Sequence, residues 1–190
     1  MKASGGLKFL YRHKSVLGIR ERKLLANALL QPRFDYGCNF WYRGITQKLK
    51  DKLQVTQNKI IRFILDLHPR SHIDCLYFKK LFLVSVENRV NFMSLNLMYN
   101  IFNGCAPNYL DSFHCTSHSH NTRNNVYSFN IPYCKSHSKV GFEYNGIVLW
   151  NGLPNLVNYL KNIDDRNVFK LKCKKYFLEK MFHQQNCDFV

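Results

Sequence analysis

The chain has 190 residues, of which 46% are apolar and 15% aromatic, so it is long enough for one ordinary domain or two small ones. Its 28 Lys and Arg against 12 Asp and Glu give a formal charge of +16, which favours a polyanionic partner over a neutral small substrate. The apolar content excludes a disordered basic tail, and the sequence predicts no membrane span and no signal peptide. We therefore expect an intracellular protein, nuclear or cytoplasmic, with no membrane partner.

Three helices are predicted in the first part of the chain. The run from Arg20 to Leu30, which Pro32 ends, places four apolar residues on one face, Leu24, Leu25, Ala28 and Leu29. The run from Thr46 to Leu67 gathers five apolar residues in a core-facing arc about 60° wide, Leu49, Leu53, Ile60, Ile64 and Leu67. The run from Val84 to Phe102 is apolar on most faces and predicts the buried centre of a helical bundle.

The second part of the chain predicts a different organisation. Residues 111–125 are rich in His, Ser and Asn and predict a linker between a helical domain, residues 1–110, and a small α+β region, residues 126–190. Val126 to Ile131 alternates like a strand that could pair with Phe142 to Tyr144 in a short hairpin, and Ile147 to Trp150 predicts a helical turn. A final helix, capped by Asp164 or Asp165 and running to about Phe182, would bury Phe169, Cys173, Tyr176 and Phe177. The predicted fold is thus mainly α, a helical bundle followed by a small α+β region with a hairpin and a last helix.

Residue types that could carry chemistry do not form a catalytic pattern. The seven cysteines are odd in number and lack CxxC spacing, which argues against a disulfide framework and against a zinc ribbon. The segment from His114 to His120 contains zinc-ligand types, but a solvated polar loop is favoured over a zinc-dependent nucleic-acid module because the spacing fits no zinc motif. Asp164 and Asp165 precede a helix and are interpreted as capping residues rather than as a magnesium pair. We predict no catalytic residue, no metal and no cofactor.

The basic residues are the strongest functional signal in the sequence. Residues 1–70 carry 15 Lys and Arg against four acids, or +11. Lysines and arginines along helices contact phosphates without reading base sequence, so we predict a nucleic-acid-binding set of Lys8, Arg12, Lys14, Arg20, Arg22, Lys23, Lys48, Lys52, Lys59 and Arg62. The last four of these lie opposite the apolar arc of their predicted helix. Four aromatic residues could contact sugars and bases or belong to the core, and the core is favoured for Tyr11, Phe40, Trp41 and Tyr42.

Several short sequence motifs occur along the chain in a particular order. They are LKFLYR at residues 7–12, LLANALLQPRFDYG at 24–37 with Trp41, LKDKLQVTQNKIIR at 49–62, Arg89, MYNIFNG at 98–104, APNYL at 106–110, HNTR at 120–123, FEYNG at 142–146, LWNGLP at 149–154 and FK at 169–170. In this order they resemble the segment that follows the polymerase palm in reverse transcriptases of non-LTR retrotransposons, the jockey and CR1-like LINE elements. The resemblance runs from about residue 7 to about residue 178.

The resemblance implies a function. In that family this portion is the helical thumb and C-terminal region, which helps to hold template and primer. It implies a thumb-like module that binds RNA or an RNA·DNA duplex, independently of sequence, through the basic residues named above. The family's catalytic aspartates and endonuclease lie outside this portion, so the resemblance implies a non-catalytic fragment derived from an RNA-directed DNA polymerase. A degenerate element remnant, or a structural or interaction protein with no nucleic-acid role, remains the alternative, which an exposed apolar face would favour.

Overall fold

The computed structural model describes residues 2–110, 128–153 and 165–186, and these are mainly helical, as predicted. Turns of 3-10 helix lie at Tyr42–Gly44, Asn108–Leu110 and Ser136–Val140, and Ala26–Leu30 forms a π-helical turn. The α-helices, in chain order, are α1 (Lys2–Arg12), α2 (Ile19–Leu25), α3 (Pro32–Asp35), α4 (Cys38–Trp41), α5 (Gln47–Leu65), α6 (Cys75–Leu81), α7 (Val86–Phe102), α8 (Phe142–Asn151) and α9 (Arg166–Asn186).

The described residues divide into two compact units. Unit 1 contains residues 2–38, 45–89 and 177–186, and unit 2 contains residues 39–44 and the described part of 90–176. This division differs from the predicted one, because distant segments of the chain contribute to each unit. The predicted linker, residues 111–125, lies outside the described residues.

Helix α5 is the longest element of unit 1 and lies where the sequence predicts it. It ends at Asp66, which adopts the left-handed conformation (φ 58°) that Asp tolerates better than most residues. Ile60 and Ile64 are buried as predicted, and Ile61 and Phe63 join them with no exposed surface. Burial on α5 begins only at Thr56, so that Leu49, predicted to face the core, remains 43% exposed.

The buried face of α2 differs from the predicted face. Leu24 is 70% and Leu29 46% exposed, and the buried residues are Arg22, Ala26 and Leu30. Arg22 can be buried because its guanidinium donates to the carbonyl oxygens of Leu17 and Lys14, at 2.9 and 3.1 Å. The π-helical turn closes with a bond of 3.0 Å from the Gln31 nitrogen to the Ala26 oxygen.

In unit 2 the predicted hairpin is wrong. Phe142 to Tyr144 begins α8, and no strand occurs among the described residues 128–153; the first two residues of the predicted first strand, 126 and 127, lie outside the described residues. The helix forms because Phe142, Ile147 and Trp150 fall on one buried face, a helical period that outweighs the short alternation. The Phe129 backbone is instead paired with a side chain: its nitrogen donates to Asn151 Oδ1 at 3.0 Å and its oxygen accepts from Asn151 Nδ2 at 2.8 Å.

Aromatic rings form the core of unit 2. Trp150 has no exposed surface, and its ring centroid lies 5.6 to 6.3 Å from those of Phe102, Phe129 and Phe169. Phe169 also stacks on Tyr99, with the centroids 4.2 Å apart. Edge-to-face and offset contacts of this kind stabilise a core beyond the area that they bury.

Two helices of unit 2 approach each other at a glycine. A Cβ added at Gly146 of α8 would lie 3.1 Å from the sulfur of Met98 and 2.9 Å from a ring carbon of Phe142. Met98 itself is fully buried on α7, which has buried residues on several faces, as predicted for a central helix. Gly146 is therefore required by the space available.

The last helix lies where the sequence predicts it, although Tyr176, predicted to be buried, is only half-buried. Asp165 Oδ1 accepts from the Asn167 nitrogen at 2.7 Å, which makes Asp165 the cap, while Asp164 lies outside the described residues. Phe169 and Cys173 have no exposed surface, and burial raises the pKa of the Cys173 thiol to about 12. Within the parts of the chain that are described, no helix is long and apolar enough to span a bilayer.

Candidate nucleic-acid interface

The most regular basic feature of unit 1 is a row of lysines on α5. Lys48, Lys52 and Lys59 are exposed, and at 100° per residue they lie within about 40° of one another. Because the helix rises about 1.5 Å per residue, the row is about 17 Å long, and one strand of a duplex carries a charge for every ~3.4 Å of its axis. We call these three residues the lysine row.

The lysine row projects from a helix that is held firmly on its other side. Ile60, Ile61 and Ile64 anchor α5 in the core of unit 1. On the exposed side Val55 is half exposed, at 50%, and Asp51 accepts a hydrogen bond of 2.9 Å from Gln47 Nε2. Three positive charges are thus presented on one helix, anchored through its C-terminal half, with one carboxylate about 60° away around the helix.

Helix α1 adds two more exposed basic side chains. Lys8 and Arg12 are exposed, whereas Leu7 and Leu10 of the same helix are 6% and 2% exposed and belong to the core. The Tyr11 ring meets the Phe63 ring of α5 edge-on, with the centroids 5.1 Å apart, so that α1 packs directly on the helix that carries the lysine row.

Asp66 collects two of the predicted binding residues. Lys14 pairs with Asp66 Oδ1, and Arg22 Nη1 lies 3.4 Å from Asp66 Oδ2. The hydrogen bond from Lys14, opposed in part by desolvation, holds the pKa of the Asp66 carboxyl below its ordinary value. These two cations therefore join the end of α1 and the start of α2 to the end of α5, and Arg22 is only 8% exposed.

The remaining predicted residues also divide into exposed side chains and side chains that are partly buried. Arg20 is exposed at the start of α2, and Lys23 is half-buried. Arg62 is half-buried, and its Nε and Nη2 both donate to the Ser71 oxygen, at 2.9 and 2.8 Å. Of the predicted set, the exposed side chains are Lys8, Arg12, Arg20, Lys48, Lys52 and Lys59.

The four aromatic residues that the sequence left between binding and core have different environments. Tyr42 is 6% exposed and belongs to the core, as favoured. Trp41 is half-buried and meets Tyr42 edge-on, with the centroids 6.0 Å apart. Tyr11 is 42% and Phe40 67% exposed, so each of these two rings keeps a surface open to solvent.

Two polar side chains of α5, which the sequence did not single out, bond to the backbone at the start of α7. Gln57, only 4% exposed, donates to the Val84 oxygen at 2.8 Å, and Gln54 Oε1 accepts from the Val86 nitrogen at 3.0 Å. A third bond, from Gln54 Nε2 to Gln57 Oε1 at 3.0 Å, connects the two amides. The available signal was the position of Gln57 beside Ile60 and Ile61, which places an amide on a buried face.

An ion pair within unit 1 was also missed. Arg89 Nε and Nη2 donate to the two carboxylate oxygens of Asp35, at 2.9 and 2.7 Å, and the side chains are 20% and 17% exposed. This fork geometry is the strongest form of an arginine–carboxylate contact. Both residues stand in words that carry the resemblance to the retrotransposon enzymes, although 54 positions separate them.

The segment that contains the candidate metal ligands is not among the described residues. The segment from His114 to His120 lies outside the described residues, and within the described ranges no group of three or more His, Cys, Asp or Glu could hold a metal ion. Five cysteines of these ranges are thiols that form no disulfide, namely Cys38, Cys75, Cys105, Cys134 and Cys173.

Comparison of the chain with models of known protein families, with curated proteins and with solved structures finds no significant match.

Proposed function

We propose that this chain corresponds to the thumb and C-terminal region of a LINE-type reverse transcriptase and binds RNA or an RNA·DNA duplex through its phosphates, without catalytic activity of its own. The observation that carries the proposal is the lysine row, Lys48, Lys52 and Lys59, exposed on a helix whose opposite face is buried from Ile60 to Ile64. Lys8 and Arg12 on the neighbouring helix extend the positive charge. Contacts of this kind fix the position of a duplex and do not read its bases.

The contacts of several residues in the resembling words also support the proposal. Gln54, Gln57 and Arg62 connect α5 to backbone segments, and Arg89 joins Asp35. Gln54, Gln57 and Arg62 thereby hold the helix that carries the lysine row. Sequences that hold this helix by the same contacts are then expected to share these motifs.

The test is binding of the purified chain to a short RNA·DNA hybrid across a salt series. The variant changes Lys48, Lys52 and Lys59 to Gln. Because each phosphate contact contributes ~0.9 to the slope of log affinity against log salt, we expect the slope of the variant to be shallower by about 2 to 3.

A matched variant controls for net charge. Lys80, Lys135 and Lys175 are exposed lysines outside the lysine row, and changing them to Gln removes the same total charge. We expect this control to keep the slope of the unmodified chain. Equal slopes for all three proteins, or no binding by any of them, would overturn the proposal.

The alternative, a structural or interaction protein with no nucleic-acid role, is favoured by exposed apolar side chains in unit 1. Val16 is 86%, Leu24 70% and Tyr36 88% exposed. Exposed apolar surface of this kind is found where another protein binds. If this alternative holds, the chain should bind a hydrophobic dye strongly in its folded state and show no salt-dependent affinity for the hybrid.

A further inference from the structure

Ser15 stands in the turn between α1 and α2 and is exposed. The turn is closed by backbone hydrogen bonds from the nitrogen of one residue to the oxygen three positions before it, with N–O distances of 3.2 to 3.4 Å. Two of them run from His13 to Leu10 and from Leu17 to Lys14. Arg22 holds the oxygens of Lys14 and Leu17 on either side of Ser15. The hydroxyl group is therefore presented at the surface by a short turn whose own backbone bonds lie at the long end of the hydrogen-bond range.

The residues before Ser15 are basic. Arg12 is three positions before it and is exposed, and His13 and Lys14 follow. Kinases choose their substrates partly by charge pattern, and a class of them binds arginine three positions before the acceptor with acidic side chains. An accessible hydroxyl and an accessible arginine at this spacing are what that class requires.

A second position has the same spacing but not the same accessibility. Thr46 follows Arg43 by three residues, yet Arg43 Nη2 donates to Asn91 Oδ1 at 2.8 Å and the side chain is half-buried. The arginine of that pair is engaged within the protein. The structure thus distinguishes Ser15 from Thr46 where the sequence pattern alone does not.

We propose that Ser15 is a phosphorylation site for a protein kinase of this arginine-directed class, with ATP as the phosphoryl donor. The Ser15 Oγ attacks the γ-phosphorus, an Oγ–P bond forms, the bond from that phosphorus to the β–γ bridging oxygen breaks, ADP leaves, and the kinase's base takes the hydroxyl proton. The modification places a phosphate next to Lys14 in the chain and three positions after Arg12.

The phosphate changes the charge of the candidate interface. It adds a charge of about −1.5 to −2 at neutral pH and offers three acceptor oxygens. Lys14, which pairs with Asp66, can pair with the phosphate instead. Neutralising about 1.5 to 2 phosphate contacts lowers affinity for a duplex about 20- to 60-fold at 0.1 M salt. This loss of binding rests on the proposed function, whereas the modification itself does not.

The first experiment treats the folded chain with a purified arginine-directed kinase and ATP and locates the phosphate by mass spectrometry. We expect modification at Ser15, none there in Ser15→Ala, and less at Thr46. Absence of phosphate at Ser15 after full modification of a peptide spanning residues 8–20 would overturn the proposal, because the peptide shows that the kinase accepts the sequence.

The second experiment measures binding of the hybrid by the chain with phosphoserine encoded at position 15. The control carries phosphoserine at Ser138, an exposed serine of unit 2, and so has the same net charge. We expect a loss at position 15 at least fivefold larger than at 138. Equal affinities of the two forms would overturn regulation by Ser15, whereas failure of the unmodified chain to bind would overturn the proposed function alone.

Discussion

The pair of Asp35 and Arg89 allows a quantitative test of how unit 1 is held together. Arg89→Met removes the guanidinium and leaves the carboxylate of Asp35 without its fork, whereas Asp35→Asn keeps the shape of that side chain and removes its charge. The double variant removes both partners. Together with the unmodified chain, the three variants form a double-mutant cycle that isolates the contact between the two side chains.

The magnitude follows from the exposure of the pair. Breaking a fully buried ion pair costs about 3 to 5 kcal/mol, and an exposed pair contributes about 0 to 1 kcal/mol. With the side chains 20% and 17% exposed, we expect Arg89→Met to lower the free energy of unfolding by about 2 kcal/mol. The coupling energy from the cycle should be at least about 1 kcal/mol.

The assay is urea unfolding followed by far-ultraviolet circular dichroism. With a slope of about 2 kcal/mol per molar urea, the midpoint for Arg89→Met should fall by about 1 M. Lys80→Met, at an exposed lysine of α6, is the control and should stay within about 0.5 kcal/mol of the unmodified chain. A coupling energy near zero would refute the argument, because the fork would then contribute no more than a surface pair.

Three further predictions concern titration, packing and reactivity. Because a lysine holds the pKa of Asp66 below 3.8, the stability from this carboxylate is present above about pH 4 and is lost as pH falls through the lowered pKa. When unfolding midpoints are measured against pH, Asp66→Asn should show a smaller loss of stability at acid pH than the unmodified chain. Gly146→Ala should lower stability by about 1 to 3 kcal/mol because its Cβ has no room, whereas Gly5→Ala, with no atom within 4 Å of the added Cβ, should raise it by about 0.5 to 1 kcal/mol in thermal or urea unfolding. Burial raises the pKa of Cys173 to about 12, so in peptide mapping iodoacetamide at about pH 8 should modify the exposed Cys105 a hundredfold or more faster; comparable rates would contradict the burial of Cys173.

Hydrophobic period located the long helices well. The bounds of α5 and α9 lie within a few residues of the predicted ones, because both have a continuous apolar stripe. The stripe also identified Ile60, Ile64, Phe169 and Cys173 as core residues. Regular patterns over four or more turns are a signal that a single sequence carries by itself.

Local pattern failed where a polar group is buried by distant or backbone partners. No hydropathy rule places Arg22 inside a protein, yet two carbonyl oxygens accept from its Nε and Nη2, Asp66 Oδ2 lies 3.4 Å from its Nη1, and Leu24 is exposed in its place. Arg62 likewise matched the lysine row by helical angle but is engaged with Ser71. The lysine row could be predicted, but its separation from the arginines that hold the fold required the positions of the carbonyl groups.

The short alternation near residue 130 misled for a related reason. An alternating run indicates a strand only if a second strand supplies its backbone partners. Here the carboxamide of Asn151 supplies both bonds to Phe129, and the segment assigned as the partner strand is helical.

The π-helical turn at Ala26–Leu30 has a consequence for the length of the chain. A turn closed by a bond from residue i to residue i−5 accommodates one more residue than an α-helical turn. Deleting Asn27 would convert it to an α-helical turn, with Ala26 and Leu30 still on one face at a spacing of three. This turn is therefore the place in unit 1 where evolution could remove a residue from within a helix without redirecting the core.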